Sequence, residues 1–187
     1  MPNIQDAKIL IIATDGFEQA ELVKPRDQLK AKGATVHVAS PEGGSIKGWD
    51  ETDWGDSVES DLKVSDVNRV DYDALVLPGG QINPDKLRVE KDVIALIRGF
   101  VEDGKTVAAI CHAPWLLIEA GVTEGREMTS FESIRTDLKN SGANVVDKEV
   151  AVSNGIVTSR KPGDIDAFVV KIVEEIEEGR HERPEAA

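Results

Sequence analysis

The sequence predicts an α/β domain built on a doubly wound, mostly parallel sheet, and three observations carry that prediction. Apolar, β-rich runs without polar alternation recur at residues 8–14, 34–40, 72–77 and 105–110, as strands buried on both faces require. Segments of helical character closed by Gly33 and Gly104 separate them. At 187 residues with 40% hydrophobic composition, the chain can fill one core and is short for two.

Each element follows in order. Residues 8–14, Lys-Ile-Leu-Ile-Ile-Ala-Thr, form the first and central strand. Residues 17–32 carry Ala20, Leu22, Val23, Leu29 and Ala31 among charges, a helix in which Pro25 predicts a kink or a start near it. The strand at 34–40 returns through a right-handed crossover. Residues 41–67 break the pattern with Gly43, Gly44, Gly48 and Gly55 between apolar side chains, a hairpin or loop excursion with edge strands. A buried strand then ends in Pro78-Gly79-Gly80, followed by helix over 84–103. The strand at 105–110 runs through Cys111-His112-Ala113-Pro114 into a helix at 115–120. A strand at 150–157 and a helix at 165–178 complete a single domain spanning 7–178, and the polar residues 179–187 are expected to form a flexible tail.

Composition narrows the function. With 35 acidic against 22 basic residues the net charge is −13, and without a dense Lys/Arg cluster neither specific nucleic-acid nor membrane-surface binding is expected. No apolar stretch reaches the roughly 18–20 residues of a spanning helix. The polar start lacks a signal-peptide pattern, so a cytoplasmic protein is expected. One cysteine allows neither an internal disulfide nor a thiolate metal site, and the three histidines do not cluster, so no metal is expected.

In such a sheet the ligand site lies at the carboxyl ends of the strands. Cys111 stands there on a strand-to-helix junction. It reads either as a thiolate activated by the helix N-terminus or as a small buried hydrophobe. Pro78-Gly79-Gly80 ends the neighbouring strand, where glycines let backbone amides face the same pocket as an oxyanion hole, or simply make a tight turn. Glu18 follows the first strand, and reads either as a protonated partner of the sulfur or as an exposed first-turn acid. His112, adjacent to Cys111, is not expected to point the same way and is a poor direct base. Asp15, Asp85 and Glu119 are ordinary acids by position. Trp49 and Trp54 read as a subunit contact or as loop packing.

Taken together, Gly16-Phe17-Glu18 with Glu21-Leu22, Ala74 to Gly80, Ala109-Ile110-Cys111-His112-Ala113-Pro114, and Thr158-Ser159-Arg160-Lys161-Pro162 with Asp166-Ala167-Phe168 resemble the PfpI branch of the DJ-one superfamily over about residues 7–176. The resemblance implies a flavodoxin-like sandwich related to class I glutamine amidotransferases, and self-association as dimers or larger homo-oligomers. It further implies that Cys111 is the nucleophile, Glu18 its hydrogen-bond partner, and Gly79 and Gly80 part of the oxyanion pocket. In proteolytic members the histidine pairs with an acid from a neighbouring subunit. That acid falls here on Asp85, one methylene shorter than their glutamate. The expected activity is a stress-protective, cofactor-independent glyoxalase or deglycase acting on a small aldehyde or glycated substrate. An inter-subunit Cys-His-Asp peptidase and a non-enzymatic sensor oxidised at Cys111 are the alternatives.

Overall fold

The structure, a computed structural model, describes residues 2–181. In chain order its strands are β1 (Lys8–Ile12), β2 (Phe17–Glu18), β3 (Thr35–Ser40), β4 (Ser45–Asp50), β5 (Asp53–Glu59), β6 (Leu62–Lys63), β7 (Ala74–Leu77), β8 (Thr106–Ile110), β9 (Glu127–Met128), β10 (Asn144–Val145), β11 (Val150–Ser153) and β12 (Ile156–Ser159). The helices are α1 (Gln19–Ala31), α2 (Ile82–Leu87), α3 (Lys91–Glu102), α4 (Pro114–Ala120), α5 (Arg135–Asn140) and α6 (Ile165–Glu178).

The main sheet has the order β11-β12-β8-β7-β1-β3-β6 and is parallel except where β11 meets β12. Its register aligns Ile11 with both Val38 and Val76, and Leu77 with Ala109, so β1, β7 and β8 end side by side. Alternation within each strand divides the core into two layers. Ile9, Ile11, Val76 and Ile110 pack with Leu22 and Leu29 of α1 and Phe168 and Ile172 of α6. Leu10, Ile12, Leu75 and Leu77 face the other way, against Ile97 and Phe100 of α3 and Leu116 and Leu117 of α4. Both layers are buried, which is why these strands read as unbroken apolar runs. Ile11 sits at the centre of one layer with no exposed surface. Ile11→Val is therefore expected to cost about 1 kcal/mol, read as a lower urea midpoint at unchanged slope, whereas an unchanged midpoint would mean that this layer is loosely packed.

Several elements differ from the sequence reading. The strand expected over 150–157 is an antiparallel hairpin that turns at Asn154-Gly155, with φ of 46° and 79°. An Asn-Gly pair is the usual two-residue solution when both central residues need positive φ. The helix expected over 84–103 is broken into α2 and α3 at Arg88 to Glu90, where the Glu90 N–H donates to the Leu87 carbonyl. Helix α1 begins at Gln19 and continues through Pro25. The expected tail is docked where it is described: the His181 N–H donates to the Gly104 carbonyl at 2.8 Å and its ring meets Glu175 at 3.3 Å. Residues 182–187 of that tail lie outside the described residues. Among the described residues no helix is long and apolar enough to cross a membrane.

The excursion at 41–67 is the hairpin β4–β5, attached through the pairing of β2 with β4 and followed by edge strand β6. Gln19 fixes its outer strand, its Oε1 accepting from the Asp56 N–H. Trp49 and Trp54 pack edge to face across it, with ring centroids 5.5 Å apart. The hairpin thereby brings Trp49 and Glu51 to the strand ends where Cys111 sits.

Candidate active site

Cys111 follows β8 with φ of 66°, in the left-handed region that non-glycine residues avoid. Two backbone bonds hold it there: its N–H donates to the Ser159 carbonyl at 3.0 Å, and its carbonyl accepts from the Phe131 N–H at 2.9 Å. The chain reverses at this residue into α4, which carries Pro114 in its first turn. This is the geometry of a nucleophile elbow: a side chain lifted off the end of a parallel sheet, on a residue held under strain by its neighbours.

The sulfur is 6% exposed as part of its residue and opens into a pocket of about 500 Å³. Its carboxyl partner is Glu21, not Glu18. Glu21 has no exposed surface, and its Oε2 accepts from the Gly79 N–H at 2.9 Å. Burial pushes the Glu21 carboxyl up to about 8, with the nearby Glu18 charge adding to the rise and the Cys111 thiol and the Gly79 and Gly80 amides opposing it. At neutral pH this acid carries its proton and can donate it toward sulfur. The Cys111 thiol is itself pushed up, first by burial and then by the negative charge Glu21 acquires when ionised. A thiolate lowered by the helix terminus alone is thus not what the structure shows. The two groups titrate as a pair.

Gly79 makes the close approach possible: a Cβ there would stand 2.4 Å from Glu21 Oε2 and 2.7 Å from Cys111 Cβ. Its amide is taken up by Glu21, so it does not face the pocket as expected. The amides that favour negative charge on the sulfur are those of Gly80 and His112. A substrate oxyanion formed beside the sulfur would meet these two donors. Asn83, which the sequence reading did not single out, ties the loops together: its Oδ1 accepts from the Thr14 N–H, and its Nδ2 donates to the Pro78 and Gly79 carbonyls. It is fully buried.

His112 does face the sulfur, against expectation. Its Nδ1 lies 3.2 Å from Sγ, because the left-handed residue before it turns the two side chains together. The other ring nitrogen meets Ser133 Oγ at 3.1 Å, and the ring stacks on Phe131 at 4.8 Å. Burial pushes the imidazole down, so it is neutral at pH 7. Asp85 lies exposed on α2, apart from the pocket lining, and within the chain is not brought to His112. Glu18 lines the pocket but makes no contact with the sulfur; the amide of Glu51 donates to its half-buried carboxyl.

Fold and site together define an α/β protein with a cysteine on an elbow at the carboxyl edge of its parallel sheet, backed by a buried carboxylic acid. The chain belongs to the DJ-1/PfpI family, which it matches over residues 7–175. It is 44% identical over 166 residues to a deglycase of Thermococcus kodakarensis, spanning 89% of this chain and 97% of the relative. General stress protein 18 of Bacillus subtilis is 43% identical over 163 residues, spanning 86% and 92% of the two chains. The crystal structure of Drosophila melanogaster DJ-1beta matches with a TM-score of 0.82 at 31% identity, covering 92% of this chain and 95% of that one.

Proposed function

We propose that the protein is a stress-protective deglycase that releases dicarbonyl adducts as free hydroxy acids, using Cys111 as nucleophile and Glu21 as proton donor and acceptor. The observation that carries this reading is the convergence of a strained elbow cysteine, a fully buried protonated carboxyl and two backbone amides in one pocket. The chemistry needs all three. Sulfur attacks the carbinol carbon of a methylglyoxal adduct, forming a C–S bond as the C–N bond breaks, and the amine leaves with a proton. The resulting hemithioacetal loses its C–H proton to a carboxylate and regains one on the adjacent carbonyl carbon, giving a lactoyl thioester. Water then cleaves the C–S bond to yield lactate and the free thiol. Glu21 can hold or return the proton at each step, and the amides of Gly80 and His112 face the oxygen that becomes negative.

The peptidase reading requires an acid at His112 Nε2, the atom that here meets Ser133. Within one chain the partner of that nitrogen is a hydroxyl, whereas Glu21 already stands beside the sulfur, so the chain's own residues support proton transfer through Glu21. The test is incubation of the purified protein with the methylglyoxal adduct of N-acetylarginine, without glutathione or added metal. Lactate and free N-acetylarginine are expected to appear in equal amounts above the buffer rate, and the absence of both overturns the reading.

A further inference from the structure

The pocket over Cys111 is lined by Glu18, Glu21 and Glu51, and by no lysine or arginine among the described residues. Asp50 and Glu51 add to the negative field at Glu18. Beyond Phe131, Arg135 and Arg160 are paired with Asp147, and Arg160 also with Asp164. Glu21 Oε1, on a side chain with no exposed surface, has no hydrogen-bond partner among the described residues. The pocket therefore has an unpartnered polar oxygen at its buried base and carboxyls at its mouth. Trp49 stands beside them, its Nε1–H donating to the Glu51 carbonyl at 3.0 Å, so the indole is fixed relative to the carboxyls. A carboxyl pair with an aromatic wall is the arrangement that holds a guanidinium or ammonium group.

We propose that this rim selects substrates by charge: adducts carried on a cationic group, an arginine guanidinium or a lysine ammonium, are taken in preference to neutral thiol adducts and to anionic carbonyl compounds, with Glu18 and Glu51 as the specificity-determining residues. The inference rests on the deglycase reading for its substrates, but its physical content, a pocket that attracts cations to Cys111, stands apart from turnover. A cleft lined by one sign of charge raises the local concentration of the opposite sign by roughly tenfold or more.

Cys111 is the sole cysteine and therefore a direct probe. The protein is labelled with a cationic methanethiosulfonate, the 2-(trimethylammonium)ethyl reagent, and with its anionic 2-sulfonatoethyl counterpart, each rate being divided by that of a free thiol. The normalised cation-to-anion ratio is expected to be about ten at low salt, and to fall several-fold in Glu51→Gln and again in high salt. Glu51 is exposed at the hairpin turn, so glutamine keeps the fold. A ratio of one or below, or one that Glu51→Gln leaves unchanged, overturns the proposal whether or not the protein turns over any adduct. In parallel, kcat/KM for the N-acetylarginine adduct should exceed that for the N-acetylcysteine adduct, and Glu51→Gln should narrow the gap. Turnover with equal preference overturns the rim while leaving the deglycase reading in place. Absence of turnover with a high labelling ratio does the reverse.

Discussion

Cys111→Ala is expected to lower lactate release from a methylglyoxal adduct by roughly a thousandfold or more, because every bond change at the adduct carbon runs through the sulfur. Cys111→Ser should not rescue it. A hydroxyl in this position is buried as the thiol is, its ionisation is opposed by the same Glu21 charge, and its intrinsic acidity is far weaker. The measurement is paired release of lactate and amine, with thermal unfolding as a control on the fold. If either variant keeps a tenth of wild-type turnover, the chemistry does not run through this atom. The elbow supplies a second readout. With φ of 66°, any Cβ at position 111 is strained, so Cys111→Gly should be more stable than Cys111→Ala by about 1 kcal/mol. The reverse order would show that the bonds to Ser159 and Phe131 are not forcing the residue into that conformation.

What the sequence made legible is mostly what burial dictates. β1, β7 and β8 are covered on both faces, so their apolar runs leave one interpretation, and the family pattern fixes which run precedes the cysteine. The residues from 150 to 159 misled for the same reason, since an apolar run straddles a tight turn whose Asn154-Gly155 signal is two residues long. The site depends on finer geometry. Glu18 and Glu21 are three residues apart and lie near one another in any helical reading. Helix α1 starting at Gln19 leaves Glu18 outside its first turn and puts Glu21 in phase with Leu22, Pro25 and Leu29 on its buried stripe. A carboxyl on an apolar stripe was the signal that could have singled out Glu21. For His112 the expectation of divergent side chains assumed ordinary backbone, and the left-handed Cys111 removes that assumption.

Glu21→Gln separates the two jobs this buried acid performs. Glutamine reproduces the neutral carboxyl in shape, and its side-chain carbonyl can still accept from the Gly79 N–H, so stability below pH 4.5, where both side chains are neutral in the folded and unfolded chain, should stay close to wild type. It cannot move a proton, and turnover should fall by roughly a hundredfold. The pH dependence carries the sharper test. In the folded protein the Glu21 carboxyl is raised from 4.5 to about 8, so it contributes stability that is full below pH 4.5 and is lost as pH rises through about 8. Over that window the unfolded chain releases a proton that the folded chain keeps, and wild-type stability should decline by about 1 kcal/mol per pH unit at its steepest. In Glu21→Gln that decline should be absent, leaving the variant the more stable protein at pH 8 although it is the poorer catalyst. Urea unfolding of both proteins between pH 5 and 8 reads the difference directly. Parallel curves would mean that Glu21 is ionised in the folded state, and the sulfur would then face a carboxylate rather than an acid, with no proton available to release the leaving amine.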